Sequence, residues 1–193
     1  MMNRYCRKIN IPENVMPKLN TSKWNTEGLN WYGFHREMKE RDFGQPFIDL
    51  MNSINIYSRW MEVFYTPPND VGIIHSDNTN YEDWCKIIFQ FNAEGSTMRW
   101  WKGDITEIIS ANINTQYVNN QNEVRISKEK DCELLYETNI YPSSLCNVGP
   151  LHSSYNPTNQ KRFVLTYAPY CTKSRKRMLW DDVLERLKPY IDE

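Results

Sequence analysis

The sequence contains no long hydrophobic run. No segment approaches the roughly 20 apolar residues that cross a bilayer, and residues 1–15 lack the apolar stretch of a signal peptide. From these absences we expect a cytoplasmic protein that does not associate with membranes.

Paired cysteines and an excess of one charge are missing too. The five cysteines are irregularly spaced, and none forms a Cys-x-x-Cys pair, so we expect reduced thiols. A formal net charge of -1 gives no electrostatic reason to expect nucleic acid as a partner.

Short strand-like segments dominate the middle of the chain. Apolar and β-branched residues, bounded by turn residues, predict strands at 59–66, 71–77, 84–92, 96–103, 132–139, 143–156 (interrupted at Gly149-Pro150) and 162–168. Apolar residues at helical spacing predict helices at 45–55 and 180–191. The segment ITEIISANI fits either a strand or a short helix.

This pattern predicts a mainly β protein, of the jelly-roll type, with flanking helices. A length of 193 residues is most simply one domain. We expect an N-terminal arm and helix at 1–56, a jelly-roll core at 57–170 and a C-terminal helix at 174–193.

Histidine is scarce, which narrows the search for a metal site. Side chains alternate along a strand, so His75 and Asp77 project from the same face and can hold one divalent metal ion together. The other histidines are His35, which lies among charged residues and is interpreted as a surface residue, and His152, which precedes a second strand. Two histidines and one carboxylate form the ligand set of non-haem Fe(II) oxygenases. We therefore predict that His75, Asp77 and His152 bind Fe(II).

An arginine lies in the clearest strand of the second half. Alternation in the segment RFVLTYA puts Arg162 on one face and Phe163 and Leu165 on the other. If the apolar face packs into the core, Arg162 points into the interior, where a guanidinium needs an anion. A dicarboxylate cosubstrate would provide that anion in a bidentate contact.

The series His75-x-Asp77, His152 and Arg162 resembles the iron(II)- and 2-oxoglutarate-dependent oxygenases, in particular their prolyl-hydroxylase-like branch. The resemblance covers residues 57–168 and implies a double-stranded β-helix. It also implies that Arg162 binds the far carboxylate of 2-oxoglutarate.

Two further residues match this family by position. The resemblance implies that Tyr65, ten residues before the first ligand, and Thr166, four residues after the arginine, face the cosubstrate. The segment 84–92 departs from the family because it lacks a tyrosine that some members use for 2-oxoglutarate. This leaves Gln90 and Lys86 as candidates there.

The resemblance implies a dioxygenase, most simply a hydroxylase, that consumes O2 and 2-oxoglutarate and releases succinate and CO2. Its substrate would be an amino acid, a small metabolite or a protein side chain. Two alternatives stay open from the sequence. One is a cupin-like metal enzyme that does not use 2-oxoglutarate, and the other is a non-catalytic jelly-roll protein in which the three ligand residues lie apart.

Overall fold

Two antiparallel β-sheets face each other in this computed structural model. It describes residues 3–27, 35–77, 83–92, 94–110 and 123–191, with the backbone only at 23, 35–37, 109–110 and 123–124. The strands in this part of the chain are β1 Cys6–Lys8, β2 His35–Glu37, β3 Ile56–Thr66, β4 Asp70–Val71, β5 Ile74–Ser76, β6 Cys85–Phe91, β7 Thr97–Gly103, β8 Glu107–Ser110, β9 Glu123–Ser127, β10 Cys132–Asn139, β11 Ser143–Asn147, β12 His152–Asn156 and β13 Arg162–Cys171.

In two stretches of the core the chain alternates between the sheets. One sheet has the order β1-β11-β6-β13-β3-β2, and the other has β10-β7-β12-β5-β9-β8 with β4 paired to β12. Strand β5 belongs to the second sheet, β6 to the first and β7 to the second again. From β10 to β13 the strands likewise belong in turn to the second, first, second and first sheet. This alternation of two antiparallel sheets is that of a jelly roll, so the predicted fold class, a mainly β double-stranded β-helix, is confirmed.

Helices cover the outer face of the first sheet. They are α1 Glu40–Phe43, α2 Gln45–Ser53 and α3 Trp180–Leu187. Phe47 of α2 and Val183 of α3 are fully buried against alternate residues of β6 and β13. Phe89 and Tyr167 from those two strands meet the ring of Phe47 edge-on, at centroid distances of 5.1 and 5.3 Å. The helices thus supply the apolar cover that lets both faces of this sheet be buried.

The inner faces of the sheets form a second core, which is more polar. Ile88 and Val164 of the first sheet pack with Met98 and Trp100 of the second. The indole of Trp100 is fully buried and donates to the carbonyl of Asn147, at 2.8 Å. Beyond these residues the space between the sheets opens into a pocket of about 100 Å³.

The element boundaries differ from the sequence predictions at identifiable turns. The predicted strand 143–156 is two strands, because the chain crosses at Gly149-Pro150 from one sheet to the other. The segment 71–77 is likewise divided at Gly72. ITEIISANI contains strand β8, and its residues after 110 lie outside the described part. Helix α3 ends at Leu187 because Pro189 has no N–H to continue it.

Candidate metal centre

The pairing of strands β5 and β12 places the two predicted histidine ligands next to each other. His75 and His152 are cross-strand partners, and their ring centroids lie 4.4 Å apart. Asp77 follows β5 directly, and its N–H donates to the carbonyl of Val148 at 3.2 Å. One donor atom from each of the three side chains lies within 4.8 Å of the others. The structure therefore gathers the three predicted ligands at one point.

Both imidazoles are oriented by the backbone. Nδ1 of His75 lies 3.0 Å from the carbonyl oxygen of Ile73, and Nδ1 of His152 lies 2.9 Å from that of Pro150. A carbonyl oxygen only accepts, so each Nδ1 carries the proton and donates. The lone pair of each ring is then on Nε2. Hydrogen bonds of this kind fix the tautomer and the ring angle of metal-binding histidines.

The two carboxylate oxygens of Asp77 face different partners. Oδ1 lies 3.6 Å from Nε2 of His75, and Oδ2 lies 2.7 Å from Nζ of Lys86. The Lys86 ammonium also lies 3.3 Å from Oε2 of Glu62. Lys86 and Glu62 come from β6 and β3 of the opposite sheet, so this ion-pair network joins the metal-site sheet to its neighbour.

These contacts decide the charge states around the site. Burial raises the pKa of Asp77, but the Lys86 cation and the hydrogen bond to His75 outweigh it and hold that pKa well below its ordinary value. Burial lowers the pKa of Lys86, whereas Asp77 and Glu62 together raise it above its ordinary value. Burial, with the nearby His75, lowers the pKa of His152 to about 3. The site at neutral pH thus contains an ionised Asp77, a cationic Lys86 and a neutral His152.

Arg162 lines the same pocket and has no carboxylate partner among the described residues. Its side chain is 3% exposed. Nε donates to Oε1 of Gln90 at 3.2 Å, and one terminal nitrogen donates to Oγ1 of Thr66 at 3.1 Å. Burial lowers the pKa of this guanidinium to about 10. The predicted inward orientation of Arg162 is confirmed, and its charge is met only by neutral groups in the described structure.

The two remaining cosubstrate candidates lie in different places. Thr166 shares the pocket face of β13 with Arg162, and its hydroxyl lies 3.4 Å from the carbonyl of Glu62. Tyr65 is on the opposite face of β3, buried in the core beneath the helices with its ring 5.3 Å from that of Phe163. The prediction that Tyr65 faces the cosubstrate is therefore wrong, because alternation along β3 sends Phe64 and Thr66 to the pocket instead.

Sequence reasoning singled out Lys86 and Gln90 without giving them partners, and it missed Thr66 and Glu62. A signal existed for the charged pair. Lys86 lies within the apolar segment 85–89 of β6, and Glu62 lies within the apolar segment 60–65 of β3. A charged residue at an inward position of a buried strand needs a counter-charge, so the two could have been paired. For Thr66 the sequence offers no such signal, because its place opposite Arg162 depends on the register of β3 and β13.

His35 belongs to β2, but its side chain lies outside the described part of the chain.

Among the described helices, none is both long enough and apolar enough to cross a membrane.

No protein-family model matches the sequence, and no curated protein matches it. Solved structures show a distant likeness. A prolyl-4-hydroxylase from Pseudomonas putida is 10% identical, with a TM-score of 0.38, over 68% of this chain and 68% of that chain. Peruvianin-I, a cysteine peptidase from Thevetia peruviana latex, is 10% identical, with a TM-score of 0.36, over 81% of this chain and 72% of that one.

EvdO2 from Micromonospora carbonacea var. aurantiaca, complexed with 2-oxoglutarate, is 13% identical, with a TM-score of 0.31. The match covers 79% of this chain and 64% of that chain. At these identities and TM-scores the likeness carries no conclusion about activity. What stands on the residues themselves is a jelly roll with a His-Asp-His cluster that could hold a metal ion.

Proposed function

We propose that this protein is an Fe(II)- and 2-oxoglutarate-dependent dioxygenase that hydroxylates an amino acid, a small metabolite or a protein side chain. The observation that carries the proposal is one pocket with two features. A cluster of two histidines and one carboxylate lies on one sheet, and a buried arginine without a carboxylate partner among the described residues lies on the other.

The donor set fits iron. Nε2 of His75 lies 3.6 Å from Oδ1 of Asp77, and one donor atom from each of His75, Asp77 and His152 lies within 4.8 Å of the others. The Nδ1 atoms of both rings are bonded to backbone carbonyls, which leaves Nε2 of each ring for a metal. Two imidazoles and one carboxylate occupy three positions of a six-coordinate ion and leave three for other ligands. Bound Fe(II) would supply the reaction with O2 and the oxidative decarboxylation of the 2-oxo acid to succinate and CO2.

The charges in the pocket favour a dianion as cosubstrate. Among the described pocket residues, the charges of Lys86 and Arg162 are balanced by those of Asp77 and Glu62, so a divalent metal would add two positive charges to a mostly buried site. Uncompensated buried charge costs several kcal/mol. A dicarboxylate with one end at Arg162 and the other toward the metal would remove this cost. A singly charged ligand would remove only part of it, and a neutral ligand would compensate none of the charge.

Each pocket residue then has a defined task. Arg162 is held by Gln90 and Thr66 so that its remaining donors can take a carboxylate in a fork. Thr166, on the same strand face, offers a hydroxyl to the same ligand. The apolar side chains of Ile88 and Val164 line the same pocket and would limit the access of water to a bound cosubstrate. These residues position and neutralise a cosubstrate.

The proposal is tested by adding Fe(II), O2 and 2-oxoglutarate without any other substrate and measuring succinate. We expect slow release from the wild type and at least a tenfold loss, about 1.4 kcal/mol, in His152→Ala and in Arg162→Met. Tyr65→Phe, on the other face of β3, is the matched control and should release succinate at the wild-type rate.

The same assay separates the alternatives. Iron binding with no succinate from 2-oxoglutarate would favour a cupin-like metal enzyme. A folded protein that binds no metal would favour a non-catalytic jelly roll, although that alternative expected His75, Asp77 and His152 to lie apart, and they lie together.

A further inference from the structure

We infer that Lys86 is a positioning residue that leaves Asp77 only one oxygen for the metal. This inference rests on the proposed function, since it concerns the metal site of that reaction. It assigns a task to a side chain that contributes no donor to the metal cluster. The task is to decide how many positions on the metal remain open.

The geometry divides the carboxylate of Asp77 into two halves. Oδ1 points to the side of His75, where the three donors converge, while Oδ2 accepts from the Lys86 ammonium at 2.7 Å. At that distance the contact is a short, charge-assisted hydrogen bond. For Oδ2 to turn to the metal as well, this bond would have to break and leave a buried ammonium with one partner fewer.

Lys86 is itself held in place. Its side chain is 13% exposed, its Nζ lies 3.3 Å from Oε2 of the buried Glu62, and it lies 5.5 Å from the centroid of the Phe64 ring. Glu62 comes from β3 and Lys86 from β6, which both pair with β13. The cation is therefore fixed by one sheet and restrains a ligand of the other. This differs from a surface lysine, whose ammonium can follow the carboxylate wherever it turns.

The consequence concerns the count of open positions. With Asp77 bound through one oxygen, a six-coordinate metal keeps three positions, enough for a chelating 2-oxo acid and O2. With both oxygens bound, it keeps two, and the chelate and O2 compete. Lys86 thus serves the proposed reaction by keeping the third position free. It does so through Asp77, without touching the metal.

The test uses Mn(II) as the probe and counts the exchangeable waters on the bound ion from water-proton relaxation, so it needs no turnover. We expect three waters in the wild type and two in Lys86→Met, which lowers the relaxation enhancement by about a third. Lys86→Arg, which keeps a cation near Oδ2, should restore three. A lysine that only stabilises the fold would leave the count unchanged in all three proteins.

A second variant guards against misfolding, because Lys86→Met removes the Lys86 cation from beside the buried Glu62. In the double variant Glu62→Gln with Lys86→Met that charge is removed, and we again expect two waters. Three waters in either methionine variant, or fewer than three in the wild type, would overturn the role of Lys86 while leaving a metal site in place. A folded wild type that binds no Mn(II) and no Fe(II) would instead overturn the proposed function.

Discussion

Arg162→Met separates a ligand-binding arginine from a structural one. The guanidinium is buried, and among the described residues its hydrogen-bond partners are Gln90 and Thr66. Burial lowers its pKa from the ordinary value of an arginine to about 10, which corresponds to roughly 3 kcal/mol of unfavourable free energy for the charged form. Methionine fills much of the same space without the charge.

The variant also loses two hydrogen bonds, each worth about 1 kcal/mol. The two effects nearly cancel. We expect the metal-free variant to have a free energy of unfolding within about 1 kcal/mol of the wild type or above it. Removing the cation of a satisfied buried ion pair would instead cost about 3–5 kcal/mol.

Binding should respond in the opposite way. A carboxylate taken in a fork by a buried arginine contributes about 2–5 kcal/mol, so the Kd for 2-oxoglutarate should rise at least about 30-fold in Arg162→Met. Urea titrations of chelator-treated protein, followed by tryptophan fluorescence, measure the stability. The same titrations with Fe(II) and 2-oxoglutarate under anaerobic conditions measure the binding.

Arg99→Met is the matched control. Arg99 lies on β7, with Nε 2.9 Å from Oε1 of Glu137, in a partly exposed pair. Its loss should cost at most about 1 kcal/mol and leave the affinity for 2-oxoglutarate unchanged. The reasoning is refuted if Arg162→Met loses 3 kcal/mol or more of stability, or if it binds 2-oxoglutarate as tightly as the wild type.

Three further predictions concern the site and the core. His152 has a pKa of about 3 when folded and about 6.5 when unfolded, so the unfolded chain takes up the proton first. The metal-free protein should therefore lose up to about 1.4 kcal/mol per pH unit as the pH falls from 6.5 toward 3, and a flat profile of urea midpoints would contradict the buried neutral ring. Thr166→Val should weaken 2-oxoglutarate binding about fivefold, the value of one hydrogen bond, in an anaerobic titration, and an unchanged affinity would remove this hydroxyl from the site. Leu165→Ala, fully buried beneath the helices, should lose about 2–5 kcal/mol in urea unfolding, whereas the exposed Leu135→Ala should stay within about 0.5 kcal/mol.

The fold could be predicted from the sequence because its strands carry a clear pattern. The segment 162–168 alternates between the apolar residues of the helix-covered core and the inward set that contains Arg162, and the structure has the same division. The crossing at Gly149-Pro150 was visible as an interruption. The sequence did not show that the chain crosses from one sheet to the other at this turn. A turn sequence does not encode which strand the chain pairs with next.

The strand pattern also accounts for the clustering of the three candidate ligand residues, whereas the predicted position of Tyr65 was wrong because it ignored that pattern. His75 and Asp77 were placed by alternation, and the structure gathers them with His152. Tyr65 was placed by its distance from the first ligand, without asking which face of its strand it occupies. Thr66, one residue further, lies opposite Arg162 in the register of β3 and β13. Spacing along the chain does not fix the face, whereas alternation does.

The contacts between the sheets could not be predicted. Lys86 and Glu62 lie on neighbouring parts of one sheet, and Asp77 lies on the other, so their meeting depends on how the two sheets are stacked. No local propensity carries that information.

The central claim is that one pocket holds a metal ion and a dicarboxylate together. Anaerobic calorimetric titration of the wild type with Fe(II), and then with 2-oxoglutarate, tests it most directly. We predict one Fe(II) per chain, followed by one 2-oxoglutarate. Its binding should be at least about tenfold weaker when the metal is omitted, and at least about 30-fold weaker when Arg162 is replaced by methionine. A folded protein that takes up no Fe(II), or that binds 2-oxoglutarate equally well without it, would contradict the claim.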